Sequence, residues 1–312
     1  MATSRRPQHI LELSSEQQRR FLDSFDHVYS DIDGVVYSME TNVPNGSQAY
    51  KALESAGKQI TFVTNNSVRT VNGTVKRLGQ ANLQVQPHQI WHPAQTLVYY
   101  LQSIKFDGLI YTMASPQFKT VLRNAGYQLI DGPNHFIEDT YEDLLLHIFD
   151  KQPVKAVVID LDFNMTATKL LRAQFYLRQP DCLFLIGATD RLLPIGKGIK
   201  LIGPGNFASI LVEASGKEAT VMGKPGRVLG DMLNRKHNVS DPSRVLMIGD
   251  MLAQDVHFGQ LCGFQTLLVL SGGCTLDQLH AETCPQHLPN YYADSVADFI
   301  QLFANVATKA HF

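Results

Sequence analysis

The sequence lacks the features that mark several large classes of proteins. Its four cysteines form no Cys-x-x-Cys pair and fit no zinc-ligand spacing. No run approaches the ~20 apolar residues that cross a bilayer, and the first twenty residues hold no apolar core of a signal peptide. The 27 basic and 29 acidic residues nearly balance, so no large net charge attracts nucleic acid or membranes. We therefore expect a reduced, cytoplasmic protein that binds neither.

What the chain does contain is an alternation of apolar strands and amphipathic helices. Residues 27–30 and 59–63 are strand-like, and helical spacing follows at 46–56 and 71–78. At 312 residues, the length alone suggests about two domains. Strand–helix–strand–helix order is typical of an α/β fold with parallel strands. We predict a doubly wound parallel-sheet core of the Rossmann-like kind.

The first strand runs directly into Asp31-Ile32-Asp33-Gly34. In an extended chain alternate side chains share a face, so Asp31 and Asp33 point toward one spot. Two carboxylates at the end of a buried strand are costly without a positive partner, and all-oxygen ligation suits Mg²⁺. The alternative is a strand that ends in a solvated turn, and the short motif alone does not exclude it.

Three later strands also end in polar residues. Thr64 and Asn65 follow the second strand, Lys224 follows a strand late in the chain, and Asp250 and Asp255 follow the next one. Parallel sheets bind ligands beyond the carboxyl ends of their strands. A threonine hydroxyl followed by the N–H groups of a helix start suits a phosphate, as does a lysine. The alternative roles are a helix N-cap for Thr64 and a surface turn for Lys224.

Two other patterns favour structural roles. Asp160-Leu161-Asp162 also follows a strand, but neither a glycine nor a Thr-Asn loop follows it, so we predict structural aspartates there. Gly203-Pro204-Gly205 resembles part of a dinucleotide-binding turn, but no acidic residue ends the next strand. We predict a tight turn at this point, before a helix at residues 209–214.

In order, Asp-x-Asp-Gly, Thr-Asn-Asn, Gly-Lys-Pro and Gly-Asp-x-x-x-x-Asp each follow an apolar strand. This arrangement resembles the haloacid-dehalogenase superfamily of aspartate-based phosphatases, and in particular its p-nitrophenylphosphatase-like branch. The resemblance extends from Phe25 to Phe303. It implies a catalytic core at residues 1–105 and 219–312. It also implies a large α/β cap, inserted at 106–218, that determines substrate specificity.

The resemblance implies a role for each motif. Asp31 would attack phosphorus and become an aspartyl phosphate, while Asp33 would protonate the leaving oxygen and then activate water. The phosphoryl oxygens would be held by Thr64, Asn65, Asn66 and Lys224. The Mg²⁺ site would be formed by Asp31, the carbonyl of Asp33, Asp250 and Asp255, the last supporting the metal waters or Lys224. Relatives usually carry Arg, an acidic residue and Thr where this chain has Met251, Ala253 and Gln254, which alters the charge beside that site.

Substrate choice would depend on the cap, because the core motifs grip only the phosphoryl group. The turn-rich segment at 189–200 carries Arg191, Lys197 and Lys200, cations that suit a small carboxylate but could equally be solvated. We predict that Arg191 binds substrate and that 2-phosphoglycolate-like esters are preferred. Pyridoxal 5′-phosphate and a broad range of aryl phosphates such as 4-nitrophenyl phosphate are the alternatives. A phosphomutase, a non-catalytic binding relative and a homodimer through the cap stay open.

Overall fold

The two ends of the chain together form one parallel sheet, and its middle forms another. The computed structural model describes residues 6–38, 41–194 and 199–308. Within these ranges, none of the helices has both the length and the apolar character needed to cross a bilayer. The arrangement is the α/β fold that the alternation of strands and helices predicted, with a core sheet and a separate cap.

The described residues form sixteen strands, labelled β1 to β16 in chain order. They are Gln8–His9, His27–Ser30, Tyr37–Ser38, Thr41–Asn42, Gln59–Val63, Ile90–Trp91, Leu109–Met113, Leu129–Ile130, Val154–Ile159, Leu183–Ile186, Leu192–Pro194, Lys200–Ile202, Thr220–Val221, Val245–Gly249, Gln265–Val269 and Tyr291–Ala293.

Twelve α-helices, α1 to α12, connect these strands within the same part of the chain. They are Ser15–Asp23, Gly46–Ser55, Val71–Gln80, Pro93–Ser103, Pro116–Asn124, Tyr141–Ile148, Ala167–Leu177, Pro204–Ser215, Arg227–Lys236, His257–Cys262, Leu276–Ala281 and Asp298–Thr308. A π-helical turn, Leu252–Val256, directly precedes α10.

The core sheet has seven parallel strands in the order β1-β16-β15-β14-β2-β5-β6. The chain moves outward from β2 through β5 and β6 on one side, and from β14 through β15 and β16 on the other. The strand order therefore reverses between β2 and β14, which is where doubly wound sheets bind ligands. All five residues of β14 and three of the four in β2 are buried, as expected for strands covered by helices on both faces.

The cap sheet has five parallel strands in the order β13-β10-β9-β7-β8. Helix α4 leads the chain from β6 into this sheet and packs against α5 and α9. The last cap strand, β13, pairs with β10 through Leu185 with Thr220 and Ile186 with Val221. The cap sheet thus extends past the boundary at residue 218 that the sequence predicted, since this pairing depends on β10, more than thirty residues earlier in the chain.

The prediction of a tight turn at Gly203-Pro204-Gly205 was wrong. Helix α8 already begins at Pro204, with Gly203 as its N-cap. Proline is favoured at the first helical position because its missing N–H would have no partner there. The N–H of Gly203 is used differently, since it donates to the carbonyl of Arg191 at 2.8 Å. The glycine-rich stretch is therefore a helix start in the cap.

His92 generates a prediction about pH and stability. It joins β6 to α4, its side chain is only 3% exposed, and neither ring nitrogen has a hydrogen-bond partner among the described residues. Burial lowers the pKa of His92 from 6.5 to about 4. Between these values the unfolded chain binds a proton that the folded protein does not, so stability falls as the pH falls.

We expect the wild type to lose about 2 kcal/mol more unfolding free energy than His92→Leu when the pH is lowered from 7 to 5. Urea denaturation of both proteins at the two pH values measures this difference. Other titrating groups affect both proteins alike, so equal losses would contradict the prediction.

Candidate active site

Three buried carboxylates meet where β2 and β14 end. Asp31 follows β2, Asp250 follows β14, and Asp255 lies in the π-helical turn just beyond. The two strands are neighbours, and the N–H of Asp31 donates to the carbonyl of Ile248 at 2.8 Å. Carboxylate oxygens of the three aspartates lie within 4.8 Å of one another. The strand ends therefore converge as the sequence predicted.

Lys224 brings a positive charge to this cluster. Its Nζ lies 2.7 Å from Asp31 Oδ1 and 2.7 Å from Asp255 Oδ1, and the residue is 1% exposed. Burial alone would lower the pKa of Lys224, but the carboxylates of Asp255 and Asp31 outweigh it and raise that pKa above its ordinary range. Lys224 is therefore a fixed cation next to Asp31 at any pH near neutrality.

One lysine does not balance three carboxylates. Burial raises the pKa of Asp31 well above its ordinary value, and burial together with the charge of Asp255 raises the pKa of Asp250 to about 7. A divalent cation would supply the missing positive charge, and a set of carboxylate oxygens is the ligand type that Mg²⁺ and Ca²⁺ prefer. The donor set thus fits a divalent metal.

Asp255 is the most constrained of the three aspartates. Its Oδ1 faces Lys224, and its Oδ2 accepts hydrogen bonds from the N–H groups of Asp250 at 3.1 Å and Met251 at 3.0 Å. Both oxygens are therefore engaged by the protein. This arrangement suits a residue that orients Lys224 and the turn after β14, which was one of the two roles predicted for it.

The backbone around Asp250 leaves its side chain little space to move. Gly34 has φ +83°, and a Cβ atom at this position would collide with Asp250 Oδ2. The N–H of Gly273, after β15, donates to the same Oδ2 at 2.5 Å. The glycine of the first motif is therefore required both for its backbone conformation and for the space that Asp250 occupies.

The loop from Thr64 to Ser67 joins the core and the cap. The N–H of Thr64 donates to the carbonyl of Trp91, which extends the pairing of β5 with β6. The Asn65 side chain accepts from the N–H of Lys224 at 2.8 Å and donates to the carbonyl of Lys224 at 3.0 Å. It also donates to Asp190 Oδ2, in the cap, at 3.0 Å. The side-chain amide of Asn65 thus fixes the loop. The backbone of Asn65 is the part of this residue that is left to bind a ligand.

The carboxyl group of Asp33 has different surrounding residues from that of Asp31. Arg69 and, less strongly, the side chain of Asn66 lower the pKa of the Asp33 carboxyl. Burial nevertheless raises the pKa of Asp33. A partly buried carboxyl with a raised pKa, next to a carboxylate held by lysine, is a suitable proton donor.

Two of the cap cations predicted to bind substrate, Arg191 and Lys200, lie on the surface of the cap. The guanidinium of Arg191 lies 3.4 Å from Ser209 Oγ on α8, and both Arg191 and Lys200 are exposed. Lys197 lies outside the described residues. Asp190, in the same segment, does reach the core, since its Oδ1 lies 3.5 Å from Gln254 Nε2.

Sequence reasoning missed three contributors to this region: Asp190, Ser67 and the loop at Gly273. Asp190 is in the segment predicted to select substrate, but its link to Asn65 spans 125 positions and has no local pattern. Gly273 had a weak signal, because Ser-Gly-Gly directly follows the apolar run at residues 266–270. Gln254, noted as a departure from relatives, proves to contact the cap.

Comparison with known proteins agrees with this geometry. A family model described as haloacid dehalogenase-like hydrolase matches residues 28–128, and a second, described as HAD-hydrolase-like, matches residues 221–299. The p-nitrophenyl phosphatase of Archaeoglobus fulgidus superposes with a TM-score of 0.75 at 24% identity, covering 89% of this chain and 99% of that one. A Mycobacterium tuberculosis glycerol phosphate phosphatase in complex with magnesium gives a TM-score of 0.72 at 21% identity, covering 89% and 77%.

Similarity in sequence also extends over nearly the whole chain. Glycerol-3-phosphate phosphatase of Gallus gallus is 31% identical over 298 residues, which cover 92% of this chain and 95% of that protein. Chronophin of Bos taurus is 31% identical over 285 residues, covering 88% and 92%. The chain therefore belongs to the haloacid dehalogenase-like hydrolases and lies among their phosphoric monoester hydrolases, as the order of its motifs predicted.

Proposed function

We propose that the protein hydrolyses small phosphate monoesters through an aspartyl phosphate on Asp31, with Mg²⁺ as the divalent metal. The observation that carries this proposal is the environment of the Asp31 carboxylate. Its Oδ1 forms an ion pair with Lys224 Nζ at 2.7 Å and accepts a hydrogen bond from the N–H of Ile32 at 2.8 Å. Among the described residues no donor is bonded to Oδ2, so this oxygen can approach phosphorus.

The reaction divides between the two aspartates of the first motif. Asp31 Oδ2 forms a bond to phosphorus while the bond from phosphorus to the leaving oxygen breaks, and Asp33 gives that oxygen its proton. Asp33, now ionised, takes a proton from a water molecule that attacks the aspartyl phosphate, which releases inorganic phosphate and restores Asp31. Lys224 and the N–H groups of the loop after Thr64 stabilise the phosphoryl oxygens as charge spreads over them.

Asp31 and Asp250 are the carboxylates available to hold the metal, while the carbonyl of Asp33 stays a predicted ligand. Bound Mg²⁺ supplies positive charge that offsets the repulsion between a carboxylate and a phosphate dianion. Asp255 orients Lys224, since both of its own oxygens are engaged.

For the leaving group, we place 2-phosphoglycolate-like esters first. This choice rests on the positive charge of Arg191 and Lys200 at the exposed β11–β12 hairpin, which suits a carboxylate on the substrate. The hairpin carries Leu192 and Leu193 as well, which offer neither an aromatic nor an imidazole ring to pyridoxal phosphate. Pyridoxal 5′-phosphate therefore ranks lower.

A second candidate is an ester whose leaving group carries hydroxyls, such as glycerol 3-phosphate. The observation that favours it is Asp190, whose carboxylate is held next to the Thr64–Ser67 loop by Asn65. A carboxylate there accepts hydrogen bonds from hydroxyl groups and repels a carboxylate on the substrate. The name of the relatives called glycerol-3-phosphate phosphatase agrees with this candidate.

The two aspartates of the first motif provide the primary test. We expect Asp31→Asn to reduce phosphate release to background, because an amide is a poor nucleophile, and Asp33→Asn to lower kcat by about 10²–10⁴-fold. Asp162→Asn, in the cap, serves as the matched control and should keep its activity. Phosphate release with folding checked by circular dichroism measures the effect, and an active Asp31→Asn protein would exclude Asp31 as the nucleophile.

Metal removal provides a second test. A chelator should abolish turnover of 4-nitrophenyl phosphate, and Mg²⁺ should restore it. Ca²⁺ should not replace Mg²⁺, because its larger and less regular coordination does not maintain the same geometry. Full turnover in metal-free buffer would contradict the assignment of Mg²⁺.

The choice between leaving groups is tested with a panel of 2-phosphoglycolate, glycerol 3-phosphate, pyridoxal 5′-phosphate and 4-nitrophenyl phosphate. We expect 2-phosphoglycolate to show the highest kcat/KM. Arg191→Ala should lower kcat/KM on it about 10-fold and leave 4-nitrophenyl phosphate within about twofold, because a single ion pair is lost. Arg123→Ala, another exposed cap arginine, is the control. A preference for glycerol 3-phosphate that Arg191→Ala leaves unchanged would favour the second candidate.

A further inference from the structure

The second Asp-x-Asp of the chain reaches the active-site loop from the cap. Asp160 directly follows β9, and it is 1% exposed. Its Oδ1 accepts from the N–H of Ala188 at 2.9 Å, and its Oδ2 accepts a hydrogen bond from Ser67 Oγ. Ser67 is the last residue of the Thr64–Ser67 loop of the core, so this hydrogen bond crosses from the cap to the core.

The surroundings of Asp160 are shaped for its carboxylate. A Cβ atom on Gly187 would lie 2.6 Å from Asp160 Oδ1, so a larger residue at position 187 would displace the carboxylate. The backbone on both sides is fixed, because the N–H of Asp160 donates to the carbonyl of Met113 and the N–H of Gly187 donates to the carbonyl of Ile159. Asp160 is therefore held rigidly by the cap sheet.

Ser67 is held by the cap at a second point. It is 1% exposed, and its carbonyl accepts from Ser115 Oγ, at the start of α5, at 3.2 Å. The residue before it, Asn66, donates its N–H to Thr64 Oγ1 at 3.0 Å, and its side chain acts on the carboxyl of Asp33, whose pKa it lowers against the effect of burial. A shift of Ser67 would therefore move the residue that orients Asp33.

We propose that Asp160 is a positioning residue for the phosphatase reaction: through Ser67 it holds Asn66 against Asp33 when the cap is seated on the core. This inference rests on the proposed function, since it gives Asp33 the role of proton donor. It differs from a purely structural role, which the neighbouring Asp162 illustrates. Asp162 pairs with the buried Lys169 at 2.9 Å inside the cap and has no described contact with the loop.

The proposal predicts a dependence on the leaving group. A proton donor matters most when the leaving oxygen is basic, as in an alkyl phosphate, and least for 4-nitrophenyl phosphate, whose leaving group is already stable as an anion. Loss of the Ser67–Asp160 hydrogen bond should therefore impair alkyl esters more strongly. A general loss of cap stability would affect the two kinds of ester equally.

The experiment compares Ser67→Ala, Asp160→Ala, the double variant, Ser67→Thr and Asp162→Asn in the full-length protein with saturating Mg²⁺. We expect Ser67→Ala and Asp160→Ala to lower kcat on glycerol 3-phosphate about 10-fold and on 4-nitrophenyl phosphate by about threefold or less, with little change in KM. The kcat of the double variant should be no lower than that of the less active single variant, because both changes remove the same hydrogen bond. Ser67→Thr should keep activity, and Asp162→Asn should lower only the melting temperature.

Equal losses on both esters, additive losses in the double variant, or a similar loss in Asp162→Asn would overturn the positioning role. If Asp160→Ala does not fold, Ser67→Ala and Ser67→Thr decide the matter by themselves. If the wild type hydrolyses both esters and the variants give one of these results, only the positioning role of Asp160 is excluded. A wild type inactive on both esters removes the proposed function, and this inference with it.

Discussion

Three buried carboxylates share one lysine at the carboxyl edge of the core sheet. Burial raises the pKa of Asp31 and of Asp250, and Lys224 is held between Asp31 and Asp255. Further positive charge stabilises such a cluster in its ionised form, which is why the site suits a divalent metal and a reaction that brings a phosphate to a carboxylate. The backbone around it follows from the same crowding, because Gly34 leaves room for the Asp250 carboxylate.

The same constraint connects the core to the cap. Lys224 lies three residues after the end of the last cap strand, and its backbone N–H and carbonyl are both bonded to Asn65. The loop that contains Asn65 is bonded in turn to Asp190, Ser115 and Asp160 of the cap. The Thr64–Ser67 loop is therefore shared between two sheets, so the position of the cap affects a loop that borders the proposed active site.

The departures from the usual fourth motif have a structural context. At the positions where the resemblance led us to expect charged or hydroxyl side chains, Met251 lies against Gly273 and Gln254 extends toward Asp190. The turn still keeps Asp255 in place, because the bonds that hold it come from backbone N–H groups of Asp250 and Met251 and do not depend on those side chains. Substitution at these positions is thus compatible with the three-carboxylate cluster.

The sequence by itself determined the strand–helix alternation, the parallel core and the set of polar residues that follow its strands, because these depend on local periodicity and on the position of strand ends. It also identified Asp31, Lys224, Asp250 and Asp255 as residues that would meet. Only the tertiary structure decided that β13 belongs to the cap sheet, that Arg191 turns toward Ser209, and that Asp160 contacts Ser67. These contacts join residues 18 to 93 positions apart. They arise from the packing of one sheet on another, which leaves no regular pattern in the sequence.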